Sequence, residues 1–372
     1  MKALKYMFAI CALPLLFASC NQDYIDPISS VAPGEDKVPP SISISSPFDG
    51  QKIRVREDIA SITVRAEASD DIEMASVSIK LDGKEISGRN TSKDYRRFVI
   101  ECPYDDVRNG AHTLVVTATD KSGKSSSKTV AFEKIAPYKP IYPDMGEMFY
   151  MPFDDEALDF VSITSATAAG DGQPQYVAGK NGKALKNSEG AYLSFPTLDE
   201  ANGTNLLANE FSATFRYKLN ATPDRAGILT VSADDPAAAA GAKNNRTKGF
   251  RFFREAGNGG QTFKLNAGNG TADSWFDGGA KAMLDPATTG ADWVFIAFTI
   301  SGSECAVYIN GEEASRGAFG GIDWDGCTSL SIMSGAPNFN GWNHLSDLSL
   351  MDDLRLYNKA LTQAQIVKVM NE

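Results

Sequence analysis

The stretch Asp347–Val369 reads DLSLMDDLRLYNKALTQAQIVKV, and its pattern decides the fold. Leu348, Leu350, Leu354 and Leu356 fall at even positions, and Asp352 stands where a fifth apolar side chain would complete the run. A period of two marks a strand with one buried face. Tyr357-Asn358-Lys359-Ala360-Leu361 follows, and then Thr362-Gln363-Ala364-Gln365. A threonine three residues ahead of a glutamine forms a capping box, each side chain serving the other's backbone amide, so a short terminal helix is expected.

The bulk of the chain agrees with a strand-rich protein. It has 372 residues, room for two or three domains. Hydrophobic residues make up 42% and charged ones 22%, as in globular domains. The 32 glycines and 17 prolines suit many turns between strands better than long helices. A net charge of −11 gives no electrostatic case for gripping nucleic acid, and fits neutral partners, cations or solubility alone.

The closing stretch from Met351 to Ile366, M-D-D-L-R-L-Y-N-K-A-L-T-Q-A-Q-I, resembles the end of the laminin-G-like, concanavalin-A-type lectin domains of bacterial surface proteins. Earlier segments match the same family in its own order. Phe149–Asp154 resembles its opening strand, and Gly179-Lys180-Asn181-Gly182-Lys183-Ala184-Leu185 its G-x-x-G-x-A-L motif. Ala191–Phe195, Phe211–Tyr217, Asp292–Thr299 and Ala306–Gly311 follow as further strands of the pattern, with Gly249–Arg254 and Thr262–Asn266 between them. The resemblance implies a two-sheet antiparallel jelly roll over residues 148–372, with Trp293 at a core strand position. Asn310-Gly311 is a hairpin turn by its own chemistry.

Upstream, short alternating strands recur over residues 41–135: Ser41–Ile44, Ile62–Ala66, Val77–Leu81, Lys84–Ile86, Arg97–Glu101, Gly110–Asp120 and Thr129–Glu133. About seven strands in that length is the pattern of an immunoglobulin-like sandwich. Asn109–Gly123 resembles the ending of bacterial Ig-like surface modules. The expected fold class is therefore all-β: an Ig-like sandwich, a proline-rich linker over 136–147, and a concanavalin-A-like sandwich with a short C-terminal helix. His112 and Asp120 lie too far apart along one strand to act as a pair. Asp70 and Asp71 with Asp120 are a candidate calcium cluster at the sandwich end, as in some such modules.

The first twenty residues read as an export signal. Lys2 and Lys5 precede a short apolar run, and Leu16-Phe17-Ala18-Ser19-Cys20 resembles the bacterial lipobox, with Phe17 where that motif usually has leucine. The resemblance implies cleavage before Cys20 and its lipidation, and two or three acyl chains hold a protein stably on a membrane. Residues 21–40 are polar and proline-rich, a flexible tether. Asp23 and Asp26 resemble the acidic residues behind the cysteine in surface lipoproteins of Bacteroides-type bacteria, which implies the outer membrane and its exterior face. Cys305 and Cys327 can pair as a disulfide in such a compartment or stand as two buried thiols.

The resemblance points to binding chemistry rather than hydrolysis. Glycan-cutting relatives carry paired carboxylates on one strand, and no such constellation is visible here. His344, in the polar run Asn340–His344, lacks a nucleophile motif. For sugar the candidates are Trp275, Trp324, Phe339, Trp342 and Asn343, because aromatic faces stack on pyranose C–H faces while amides and carboxylates take hydroxyls. Packing beneath a loop is the competing role for each. The loop Asp234–Lys248 is long enough to border a site. In relatives the position of Asp352 often helps hold a structural calcium beside the first strand; Asp154 and Asp352 are its candidate ligands here, and hydrogen bonding to backbone is the alternative for Asp352. The expected partner is an oligo- or polysaccharide, with an envelope protein as the alternative.

Overall fold

The computed structural model describes residues 34–257 and 259–372, so the export signal, Cys20, Asp23 and Asp26 lie outside the described residues. The chain parts into two compact units. One takes the described residues up to Asp49 with Thr63–Tyr104 and Thr113–Ala131. The other takes Gly50–Ile62, Asp105–His112 and Phe132–Glu372.

The N-terminal strands form two sheets. Ser41–Ser46, Ala60–Ser69 and Arg97–Val107 make the smaller one; Gln51–Ile53, Ser125–Lys134, Gly110–Asp120, Met74–Leu81 and Lys84–Arg89 make the larger. Each expected strand is present, and Gln51–Ile53, too short to show a period, joins them in parallel with Ser125–Lys134. Asp82 and Gly83 turn the hairpin with φ of 50° and 81°, the left-handed pair that a two-residue hairpin demands. Val64, Val77, Ile79, Phe98, Leu114 and Val116 are buried between the strands, and Cys102 is a free buried thiol.

The C-terminal sandwich has two eight-stranded sheets. The first runs Thr167–Gly170, Ala191–Pro196, Ser329–Ile332, Arg225–Val231, Phe250–Gly257, Gly260–Gly268 and Asp273–Asp277. The second is centred on Leu350–Tyr357 and Phe211–Lys218, followed outward by Val294–Ile300, Glu304–Ile309 and Glu312–Ala318. Aromatics from both inner faces fill the space between. Phe211 meets Phe250 at 5.0 Å between ring centroids, and Phe252 stacks on Phe298 at 4.9 Å. Trp293 sits one residue ahead of its strand and is only half-buried, outside this core.

The closing strand departs from a simple period of two. Leu350 is half-buried, whereas Met351, Leu354 and Leu356 enter the core. Arg216 faces Asp352 and Thr214 faces Arg355, so Asp353 and Leu354 together oppose Phe215. This is a β-bulge, with Asp353 at φ 53° absorbing the extra residue. The inward phase therefore changes from odd to even positions at the pair of aspartates, which explains the break at Asp352. Thr362 then caps helix Gln363–Met370: its hydroxyl accepts from the Gln365 amide while the Gln365 side chain accepts from the Thr362 amide.

Candidate functional site

Strand Asp273–Asp277 presents alternate side chains to opposite faces of its sheet. Phe276 points into the core, and Trp275 points out, 41% exposed. Trp275 thus stands on a strand rather than in the glycine-rich loop its surroundings suggest. Next to it, strand Phe250–Gly257 sends Phe250 and Phe252 inward and Arg251 and Phe253 to the same outer face.

Two loops cover this outer face. Lys243 and Asn340 bind each other, the Lys243 carbonyl accepting from the Asn340 and Gly341 amides and the Asn340 side chain accepting from the Lys243 amide. Arg251, fully buried, donates to the carbonyls of Asn245, Arg246, Lys248 and Gly249 and to the Ser232 hydroxyl, and so fixes the end of the first loop. Its other end carries Asp234, which pairs with Lys243.

These loops bring the aromatics together. Trp342, also 41% exposed, lies 6.3 Å from Trp275 with the two rings 19° from parallel. The Arg246 guanidinium is 4.8 Å from the Trp342 ring and 5.7 Å from the Trp275 ring, and its Nε is 3.7 Å from Asp273. Beneath them Phe253 meets Trp275 edge-on at 5.8 Å. Phe339 is 1% exposed and stacks on the His344 ring at 4.7 Å, so it is the floor of the platform and not a contact surface.

A line of charge borders the floor. His344 Nε2 donates to Glu255 at 3.0 Å, and Lys264 bridges Glu255 and Asp277 at 3.1 and 3.2 Å. The hydrogen bond from His344, then those of Lys264, hold the Glu255 carboxyl down at about 2 against the resistance of burial. His344 itself is fully buried between Phe253 and Phe339. Arg246, Phe253, Glu255 and Lys264 were not singled out by sequence. The one available signal was Phe253, an aromatic in the outward phase of a strand whose inward phase Phe250 and Phe252 already fill.

Trp324 is elsewhere. Its indole N–H donates to the Ala208 carbonyl at 2.9 Å, and its ring packs on Phe211 and Phe250 about 6 Å away. It serves the core. Asn343 follows Trp342 at φ 62° and lines a separate cleft with Arg225, Asp224 and Leu345. Among the described residues Cys305 and Cys327 are free, buried thiols, and burial pushes Cys327 up to about 11.

Asp154, three residues past strand Glu147–Met151, and Asp352 and Asp353 of the closing strand hold one turn. Asp352 Oδ2 accepts from the Lys180 and Asn181 amides at 2.8 and 3.0 Å, Asp154 Oδ1 from the Lys183 amide at 2.7 Å, and Asp353 from the Asn181 side chain. A Cβ on Gly182, at φ 58°, would stand 2.1 Å from Asp154 Oδ1, which is why that place in the G-x-x-G motif is a glycine. A calcium ion asks for six to eight oxygens. Asp352 Oδ1, buried without a hydrogen-bond partner among the described residues, fits one of them. In the N-terminal unit Asp36 joins Asp70 and Asp71, their ligand atoms within 4.8 Å, while Asp120 Oδ1 accepts from Ser122 and from the Lys124 amide. The Lys124 ammonium stands 3.4 Å from Asp36, so a cation already faces that group.

Two family models agree with this architecture. Residues 40–116 match the family described as bacterial Ig domain, and residues 187–367 the concanavalin A-like lectin/glucanases superfamily. Among solved structures, the chain is similar to domain 4 of an extracellular GH43 arabinanase from Geobacillus stearothermophilus, in complex with arabinotriose. The match is 21% identical and covers 60% of this chain and 98% of that one, with a TM-score of 0.45. It is also similar to the binding domain of botulinum neurotoxin DC in complex with SialylT: 13% identity, 61% of this chain and 51% of that one, TM-score 0.43. No curated protein matches.

Proposed function

We propose that this chain, a bacterial Ig domain followed by a concanavalin A-like domain, is a non-catalytic carbohydrate-binding lipoprotein of the bacterial outer surface. The observation that carries the reading is the Trp275–Trp342 pair. Two half-exposed indoles held nearly parallel by an arginine, on a floor of buried aromatics, cost free energy in water unless a ligand covers them. A pyranose offers apolar C–H faces for the rings and hydroxyls for Arg246, Asp273 and Asp277. Enclosure of the His344 ring between two phenylalanines and engagement of Glu255 by His344 and Lys264 support binding without hydrolysis. Lipidation at Cys20 would anchor the protein, with the Ig domain as spacer. A structural calcium would be held by Asp352 and Asp154.

The test is a polysaccharide affinity-gel and glycan-array screen of the purified whole chain. Selective retention by one glycan, weakened in Trp342→Ala and Trp275→Ala, is the expected result. A folded protein that no glycan retains would sink the reading and turn the search to a protein partner.

A further inference from the structure

We infer that the site takes an extended oligosaccharide, running from the tryptophan pair into the neighbouring cleft, rather than a single terminal sugar. The inference rests on the carbohydrate reading above and adds the length and course of the ligand.

The cleft encloses about 510 Å3, within the roughly 300–1,000 Å3 of small-molecule sites. It lies between the turn at Glu189 and Gly190, the loop Thr222–Arg225, and the segment from Asn343 to Leu348. The cleft and the platform share a wall. Asn343 lines the cleft and is the next residue after Trp342, so their Cα atoms are about 3.8 Å apart. Arg225 lines it too, and its Nη1 donates to the Trp342 carbonyl at 3.1 Å while standing 3.8 Å from Glu255. Arg225 and the Trp342–Asn343 backbone thus border both surfaces, and we place successive sugars of one ligand on the two sides of that border.

The lining suits a polyhydroxylated chain. Glu189 and Asp224 are exposed carboxylates that accept from hydroxyls, and the Asn343 amide both donates and accepts. Leu345, 46% exposed, supplies an apolar patch for a sugar C–H face. One cation, Arg225, against two carboxylates leaves the lining slightly acidic, which favours neutral over acidic sugars. A single sugar laid on the indoles leaves the cleft empty; the next residues of a chain fill it.

The experiment takes the polysaccharide retained in the screen, cuts it to graded oligosaccharides, and titrates each into the whole chain by calorimetry. Affinity should climb with length and level off once both regions are filled, the longest binding about tenfold or more tighter than the monosaccharide. Asp224→Asn and Leu345→Ala, both surface changes, should remove that gain for long oligosaccharides and leave the shortest unaffected. Trp342→Ala should weaken every length. Equal affinity at all lengths, or cleft variants indistinguishable from the parent on the longest ligand, would overturn the inference while leaving the carbohydrate reading intact. Loss of retention for every glycan defeats the carbohydrate reading, and this one with it.

Discussion

Replacing Trp342 with alanine removes one indole from the platform and leaves its backbone carbonyl available to Arg225. With 41% of its surface exposed and a full tryptophan surface of roughly 250 Å2, about 100 Å2 is open to a ligand. Arg246 already lies against the ring pair, so a sugar stacking on one face covers about half of that area. At about 25 cal/mol per Å2 the loss is about 1.3 kcal/mol, or roughly tenfold in Kd. Trp275→Ala should cost the same, since its exposure is equal. Because the rings are 6.3 Å apart, the double variant should deviate from the sum of the two. Calorimetry on the retained polysaccharide reads the affinity, and thermal melting confirms that both variants fold. Trp324→Ala is the contrast. Its ring packs on Phe211 and Phe250, so it should lower stability, with Kd unmoved while the protein remains folded. Single tryptophan variants that stay within twofold of the parent Kd would refute the platform.

Three further outcomes are expected. Asp347→Ala strips the carboxylate from Arg254, both fully buried and 2.9 Å apart, and should cost about 3–5 kcal/mol in urea unfolding; a loss below about 1 kcal/mol would contradict the buried pair. Glu255 is held at about 2, below its ordinary 4.5, so its stabilising contribution is present above pH 4.5 and is lost as pH falls through 2. Glu255→Gln should flatten the stability profile over that window, and an unchanged acid limb in melting scans would count against the His344–Glu255 link. If calcium binds at Asp352, melting in calcium rather than EDTA should gain about 3 kcal/mol of stability at a hundredfold excess over Kd. An identical melting temperature would leave Asp352 as a backbone acceptor alone.

Much of the fold was legible because it is written in local patterns. The capping box at Thr362 and the hairpins at Asp82-Gly83 and Asn310-Gly311 need only a few neighbouring residues, and each lies where the sequence places it. The closing strand was recognisable but its phase was not: a bulge is set by the partner strand, and only the register against Phe215 shows that Met351 faces inward. The site was legible in part, for the same reason. Trp275 and Trp342 are singled out by being tryptophans in polar surroundings, and their proximity comes from a loop crossing the sheet. Trp324 has equally polar neighbours in sequence, yet its ring turns inward. Phe253, Glu255 and Lys264 meet through strand register, which no local spacing encodes.

Arg251 has a consequence for how a glycan would arrive under the proposed function. By gathering four carbonyls of the segment Asn245–Gly249 it ties the stem of Arg246 to the sheet before anything binds. The surface needs no folding step on encounter, so association should proceed at the ordinary rate for a ready-made site. Glycans that differ in fit should then differ in residence time: how long each stays, rather than how fast it lands, would sort them.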